Sequence, residues 1–261
     1  MIKFRAYIKQ KMYQFATILV VLPLVLLAFY SSLFDNRNSP QDTIIQEATP
    51  SNYYRTSYKK AIKNSRTSAV RLLSLDIASG MVSTFSGTYI KSYGNYFVIT
   101  VAHGIQGECE FTKIVYDQNV YECKKYIIVD EVLDYAIIQI DEIQNRRAIE
   151  IPKQLPHNKE WKGVFTLLNR VVYSGYPNSL GPLTISGKVA GTDGGEFIYL
   201  DSYAWHGSSG SGVFNSGGKF IGHIVAVDVG TTEFGVQVLN NIVLVTPSYK
   251  INWEKTITEA E

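Results

Sequence analysis

The chain has 261 residues, of which 46% are hydrophobic, as is ordinary for a globular protein with one medium-sized body and additional segments. Its net charge is +2, but the charged residues are unevenly distributed. Four bases lie within residues 1–14, and no acid precedes position 35. The remainder carries 21 bases against 23 acids, so it is not basic and offers no electrostatic footprint for nucleic acid.

A membrane segment is predicted near the start of the chain. Residues 15–34 contain no charge, and a helix of that length is long enough to span a bilayer. Because the bases all precede it, we expect residues 1–14 to stay in the cytoplasm and the rest to be periplasmic or extracellular. A cleaved signal peptide is the alternative, but the apolar run is longer than such a peptide needs and residues 28–30 make a poor cleavage site. We therefore predict an uncleaved, single-pass signal anchor.

The rest of the chain is predicted to be a polar linker followed by an all-β body. Residues 35–65 are polar, with a weak helical signal at 58–64. Short runs rich in β-branched and aromatic residues follow, separated by turns every 8–12 residues, which indicates a sandwich or barrels. The runs are 69–75, 87–90, 96–101, 113–116, 120–123, 126–129, 135–140, 164–168, 170–173, 183–189, 197–200, 212–214, 220–227 and 234–238.

The two cysteines, Cys109 and Cys123, flank a predicted hairpin. They can pair as a disulfide in an oxidising compartment, or remain two free structural thiols. The sequence leaves both open.

Three separate segments carry candidate catalytic groups. Residues 207–214 form a glycine-rich turn holding serines, which lets backbone N–H groups approach a substrate carbonyl. A serine hydroxyl needs a base, and His103 follows a predicted strand. The imidazole in turn needs a partner, and Asp134 precedes the apolar run 135–140. Taken singly, each has a structural explanation: a turn, a structural histidine and a strand cap. Asp130 and Asp141 are rival acids that lead into no such run.

Taken together, the segments resemble the chymotrypsin-like (trypsin-like) serine peptidase superfamily. The sequence Thr-Val-Ala-His at 100–103 resembles the family's Thr-x-Ala-His box, Asp-Tyr-Ala-Ile-Ile at 134–138 resembles Asp-x-Ala-Ile/Leu, and Gly-Ser-Ser-Gly-Ser at 207–211 resembles Gly-x-Ser-Gly. Further likenesses point to the HtrA-type (DegS-like) branch, and they lie at residues 85–90, 174–180, 185–189 and 220–222. The resemblance covers about residues 68–247.

The resemblance implies a fold of two six-stranded antiparallel β-barrels. We expect an N-terminal barrel at 66–158, a C-terminal barrel at 159–250 and a tail at 251–261, with the polar stretch 154–160 between the barrels. The PDZ domain that often follows in this branch is not expected, since only residues 247–261 remain.

The resemblance also implies site residues. Ser209 would be the nucleophile, His103 the general base and Asp134 its orienting acid, with the backbone N–H groups of Gly207 and Ser209 as the oxyanion hole. Neither a metal nor another cofactor is implied, and the partners would be unfolded or extended polypeptides. The specificity pocket would be lined by Tyr203, Ala204, His206, Ile224, Val225, Ala226 and Val227.

That pocket holds no acid, so we expect aliphatic or small residues before the cleaved bond rather than Lys or Arg. Glutamate-specific relatives place a histidine two residues after the Ile-Gly of this strand, whereas His223 comes one residue after Gly222. A shift of one residue turns a strand side chain to the other face, which argues against glutamate specificity.

An active serine endopeptidase is the leading interpretation. The alternative is a catalytically inactive trypsin-like fold that serves as an extracytoplasmic binding or scaffold protein. A membrane-tethered β-sandwich adhesion module is a third interpretation. The sequence contains no indication of the oligomeric state.

Overall fold

A computed structural model describes residues 55–151, 165–192, 197–232 and 235–258. Two β units follow one another, framed by two helices. In chain order the elements are α1 (Arg55–Ser68), β1 (Ala69–Leu75), β2 (Val82–Ser92), β3 (Asn95–Thr100), β4 (Thr112–Tyr116), β5 (Asn119–Glu122), β6 (Lys125–Asp130), β7 (Tyr135–Ile140), β8 (Ile149–Glu150), β9 (Arg170–Gly175), β10 (Leu183–Thr192), β11 (Ile198–Asp201), β12 (Gly212–Asn215), β13 (Phe220–Thr232), β14 (Gly235–Pro247) and α2 (Trp253–Thr258).

The N-terminal unit is an eight-stranded sheet rather than a closed six-stranded barrel. Its strand order is β5-β4-β1-β2-β3-β7-β6, and the short β8 runs parallel to β2. The hairpin β4–β5 ends one side and β6 ends the other, and no ladder between β5 and β6 closes the described sheet. The prediction of a six-stranded barrel is therefore wrong for this half of the body.

The C-terminal unit is a closed six-stranded barrel in the order β10-β11-β14-β13-β12-β9, as expected for this half. One predicted strand, 164–168, is wrong over its described residues, because 165–168 form no strand. Leu167 and Leu168 are 66% and 74% exposed, and Leu168 has a φ of +63°, so this apolar run turns outward at the surface. Hydrophobicity alone marked it as a strand.

A shared core joins the two units. Phe97 and Ile99 of β3 belong to the same buried cluster as Val172 of β9 and Phe214 of β12. Each unit also has a core of its own, one around Leu72 and one around Val213. The two β units consequently pack directly on each other, and the edge of their contact is where a site shared by both must lie.

Both ends of the described chain pack on this body, although they lie in the predicted linker and tail. Helix α1 confirms the weak helical signal and buries Ala61 in the shared core. Its Ser65 hydroxyl lies 2.5 Å from the hydroxyl of Ser174, and its Asn64 amide donates to the Gly218 carbonyl at 2.8 Å. In α2, Trp253 is 2% exposed. Parts of the predicted linker and tail therefore contribute to the core of the body.

The structure joins Cys109 and Cys123 in a disulfide. The predicted anchor at 15–34 and the polar stretch at 154–160 lie outside the described residues. Within the described ranges, no helix combines the length and the apolar character that crossing a membrane requires.

Candidate active site

The structure brings His103 and Asp134 into direct contact. His103 follows β3 and Asp134 immediately precedes β7; these strands are antiparallel neighbours, with Thr100 opposite Ala136. The ring Nδ1 of His103 lies 2.6 Å from Oδ2 of Asp134, and the backbone N–H of His103 donates to Oδ1 at 2.9 Å. Both carboxylate oxygens are engaged by one residue, which fixes the imidazole and leaves its Nε2 for another partner.

The same contacts keep the Asp134 carboxylate ionised. Burial alone would raise the pKa of Asp134, but the two hydrogen bonds from His103 outweigh it, and the pKa lies below its ordinary value. The His103 side chain is 53% exposed, against 16% for Asp134. A shielded acid thus supports an accessible imidazole.

The rival acids have other partners. Asp130 caps the turn before β7, since its Oδ1 accepts from the N–H groups of Val132 at 3.0 Å and Leu133 at 2.9 Å. Asp141 pairs with Lys124 at the surface. Of these three acids, only Asp134 is hydrogen-bonded to His103.

The serine-bearing loop connects β11 to β12 and requires glycine at two points. Gly207 and Gly210 have φ values of +89° and +87°. A Cβ on Gly207 would lie 2.6 Å from the Tyr176 carbonyl oxygen, and one on Gly210 would lie 2.0 Å from the Ser86 carbonyl oxygen. The loop is therefore pressed against the backbone of both units, where any side chain at these positions would collide.

Ser86 of β2 holds this loop in place. Its hydroxyl donates to the Gly207 carbonyl at 2.6 Å and accepts from the Tyr176 N–H at 2.8 Å. Its backbone N–H donates to the Ser209 carbonyl at 2.9 Å. Gly104, next to His103, packs on the ring of Phe85, which precedes Ser86. The residue after His103 and the backbone of Ser209 thus both contact the Phe85–Ser86 stretch of β2.

Ser209 itself is half-buried. Within the described chain, its hydroxyl makes no hydrogen bond to the His103 ring, and no acceptor engages the backbone N–H of Gly207 or Ser209. The contact between nucleophile and base is commonly long until substrate binds. Two free N–H groups on this loop are the donors that an oxyanion needs.

The predicted pocket residues divide into two groups. Tyr203 is 57% exposed and stacks on Trp205, and His206 is also exposed. Ala204 packs against the core of the C-terminal barrel, and Ile224 lies within that core, so Ile224 is not a free pocket wall. Val225 is buried. Ala226 and Val227 continue β13, and their side chains lie outside what the structure describes.

Three residues at the site escaped the sequence analysis. Trp205 carried no pattern, and Ser86 lay within a quoted motif without a role. In the sequence, His223 bears only on specificity for glutamate before the cleaved bond. It is fully buried, and its Nε2 lies 3.1 Å from the Asp134 carbonyl oxygen. That position argues against recognition of a substrate carboxylate by His223. Across the described residues, no cluster of His, Cys, Asp or Glu could hold a metal ion.

Comparisons with known proteins concern the family and the fold of the chain. Residues 85–222, more than half of the chain, match the family described as "Trypsin-like peptidase domain". No curated protein matches the chain. Among solved structures, a serine endoprotease from Yersinia pestis is similar with a TM-score of 0.59 and 20% identity, over 82% of this chain and 70% of that one. The HtrA-type protease AlgW, solved with a tripeptide, is similar with a TM-score of 0.59 and 17% identity, over 78% of this chain and 64% of its own length. At these identities the two structures support the fold alone.

Proposed function

Because the chain belongs to the trypsin-like peptidase family, we propose that it is a membrane-anchored serine endopeptidase that uses Ser209, His103 and Asp134. One observation carries this proposal. His103, whose ring contacts Asp134, follows the β2–β3 hairpin, and the loop that bears Ser209 is hydrogen-bonded to the same hairpin through Ser86. Base and nucleophile are thereby held to a common hairpin.

The proposed reaction proceeds through an acyl-enzyme. The Ser209 oxygen attacks the peptide carbonyl carbon while His103 Nε2 takes the hydroxyl proton, and Asp134 stabilises the resulting imidazolium. The oxyanion accepts hydrogen bonds from the N–H groups of Gly207 and Ser209, each such donor lowering the barrier by about 2.7–4 kcal/mol. His103 then gives its proton to the amine as the C–N bond breaks. Water, deprotonated by His103, hydrolyses the ester and restores Ser209.

The proposed substrates are extended or unfolded polypeptides that pair with the enzyme as an added strand. The residues around the serine loop favour an aliphatic or small side chain before the cleaved bond. Tyr203, Ala204 and Val225 bring no acid to this region, and His223 is buried away from it. A library of denatured peptides, analysed for the residue before each cut, tests this preference. Cleavage mainly after Lys, Arg or Glu would contradict it.

We also propose that residues 15–34 anchor the peptidase outside the cytoplasm. The disulfide between Cys109 and Cys123 supports this location, because such bonds persist in oxidising compartments. In cells stripped of any cell wall and outer membrane, an added protease should digest the body of the full chain, and the protein should stay with membranes after alkaline extraction. A full chain that is shielded from the protease, or released by the extraction, would contradict the anchor.

Covalent labelling with a fluorophosphonate probe tests the nucleophile. The full chain should be labelled at Ser209, and Ser209→Ala should abolish labelling. Ser211→Ala is the matched control: Ser211 is buried two residues away, and its hydroxyl has no partner among the described residues. A folded protein without labelling would favour the inactive binding or scaffold protein instead. Equal labelling after Ser209→Ala would contradict the assignment of Ser209 as the nucleophile.

A further inference from the structure

His223 is a buried histidine for which the proposed reaction has no direct use. It lies on β13, opposite Gly212 on one side and Thr246 on the other, and its relative exposure is 0%. Its ring reaches from the C-terminal barrel to the N-terminal unit, where Nε2 lies 3.1 Å from the carbonyl oxygen of Asp134. It therefore touches the backbone of the acid that holds His103.

The contact fixes the protonation of the ring. A carbonyl oxygen only accepts hydrogen bonds, so Nε2 of His223 carries the hydrogen and Nδ1 carries a lone pair. Nδ1 is buried and has no partner among the described residues. Leaving such an atom unpaired costs stability. Burial, opposed by the bond to Asp134, lowers the pKa of His223 to about 4, so the ring is neutral at ordinary pH.

Asp134 needs support because its backbone is strained. Its φ is +50°, a left-handed conformation that a residue with a side chain rarely adopts. Such a conformation persists only where the surroundings enforce it. The C-terminal barrel supplies two hydrogen bonds here: His223 Nε2–H to the Asp134 carbonyl, and the Thr246 hydroxyl to the Leu133 carbonyl at 2.7 Å. Rotation of this peptide would move the Asp134 carboxylate away from His103.

We propose that His223 is a positioning residue for the acid of the catalytic triad: its Nε2–H holds the Asp134 carbonyl, so that both carboxylate oxygens meet His103. This inference rests on the proposed function, because it assigns Asp134 the orienting role. The residue that orients the His103–Asp134 pair then lies in the C-terminal barrel, whereas the pair itself lies in the N-terminal unit. The two β units must then dock correctly before His103 is oriented.

Two substitutions of His223 separate positioning from simple packing. His223→Gln keeps an N–H donor near the place of Nε2, whereas His223→Leu fills the space without a donor. A misplaced catalytic group can cost about a hundredfold in rate, so His223→Leu should lower kcat by about 10- to 100-fold. The KM should change by less than about twofold, since no substrate contact is lost. His223→Gln should restore most of the lost kcat.

The control is Ser174→Ala, which removes another buried hydrogen bond between elements, the one between the hydroxyls of Ser174 and Ser65. It should lower thermal stability without lowering kcat. The second readout needs no substrate: the far-downfield proton resonance of the His103 Nδ1–H···Asp134 bond. It should be present in the full chain and in His223→Gln, and weakened or lost in folded His223→Leu.

Full kcat and an unchanged resonance in His223→Leu would overturn the positioning role, as would an equal loss of kcat in His223→Gln. Failure of the proposed function has a different signature. The wild-type chain would then show no labelling at Ser209, while the resonance would still report whether His223 orients the His103–Asp134 pair.

Discussion

Acidification should destabilise the protein through His223 before any buried carboxylate is protonated. In the unfolded chain an imidazole binds a proton below about pH 6.5. In the folded protein the pKa of His223 is lowered to about 4, because burial disfavours the charged ring. Between these values the unfolded state binds more protons than the folded state. Stability is therefore fully present above about pH 6.5 and is lost as the pH falls towards 4.

The magnitude follows from the width of that window. One proton of difference changes the free energy of unfolding by about 1.4 kcal/mol per pH unit, so the interval from 6.5 down to about 4 is worth about 3–4 kcal/mol at most. The charged groups that act on His223 are Asp134 and His103. Asp134 adds a loss of the same sign, but only below about 3.8, because its folded pKa is lowered from that value. The two contributions are separated in pH.

Urea unfolding at several pH values from 4.5 to 7 measures this effect. His223→Gln is the reference, because glutamine does not titrate and every other group is retained. The wild type should lose stability more steeply than His223→Gln, by about 1.4 kcal/mol per pH unit below pH 6. Parallel curves over this range would refute the reasoning, since a His223 that titrates normally in the folded state contributes no slope.

Three further predictions concern the site and its support. Ser86→Ala leaves the Gly207 carbonyl and the Tyr176 N–H without their partner, which should cost about 1–3 kcal/mol for each group in urea unfolding and slow the labelling of Ser209. Ser92→Ala on the same strand removes a buried hydroxyl that has no partner among the described residues, and it should change neither quantity. Equal behaviour of the two variants would contradict the role of Ser86. Replacing Cys109 and Cys123 together by serine should lower the free energy of unfolding by about 2–4 kcal/mol, since the bridge closes a loop of 14 residues, and an unchanged urea midpoint would contradict this. Because a general base must be neutral, kcat/KM should fall on acidification, and a profile without an acidic limb would contradict the assignment of a histidine base.

The sequence was most informative where chemistry and backbone constraints coincide. The glycines at 207 and 210 were recognisable because the serine loop needs positive φ and close backbone approach, and both conditions hold. Asp134 was distinguished from Asp130 and Asp141 by the apolar run that follows it, and it is the acid paired with His103. Short motifs whose residues are required by chemistry or by backbone conformation could therefore be predicted from the sequence alone.

Features that depend on packing between distant segments were not readable. The outward turn at 165–168 is as apolar as a strand, and only its surroundings make it a turn. The number of strands in the N-terminal unit was wrong because the family pattern does not specify whether its outer strands pair. His223 and Ser86 gain their roles only through contacts at separations of 89 and 121 residues. No local pattern encodes such partners.

These long-range contacts make assembly of the site inseparable from docking of the two units. Each unit alone lacks part of the proposed catalytic machinery: His103 and Asp134 come from the N-terminal sheet, and Ser209 and its loop come from the C-terminal barrel. Ser86 reaches from the first unit to the serine loop, and His223 reaches from the second unit to the acid. Both contacts cross the interface between the two units. A shift of either unit should therefore disturb the serine-bearing loop and the His103–Asp134 pair together. Substitutions at this interface should consequently alter both catalysis and stability, whereas substitutions within the separate core of either unit should alter stability alone.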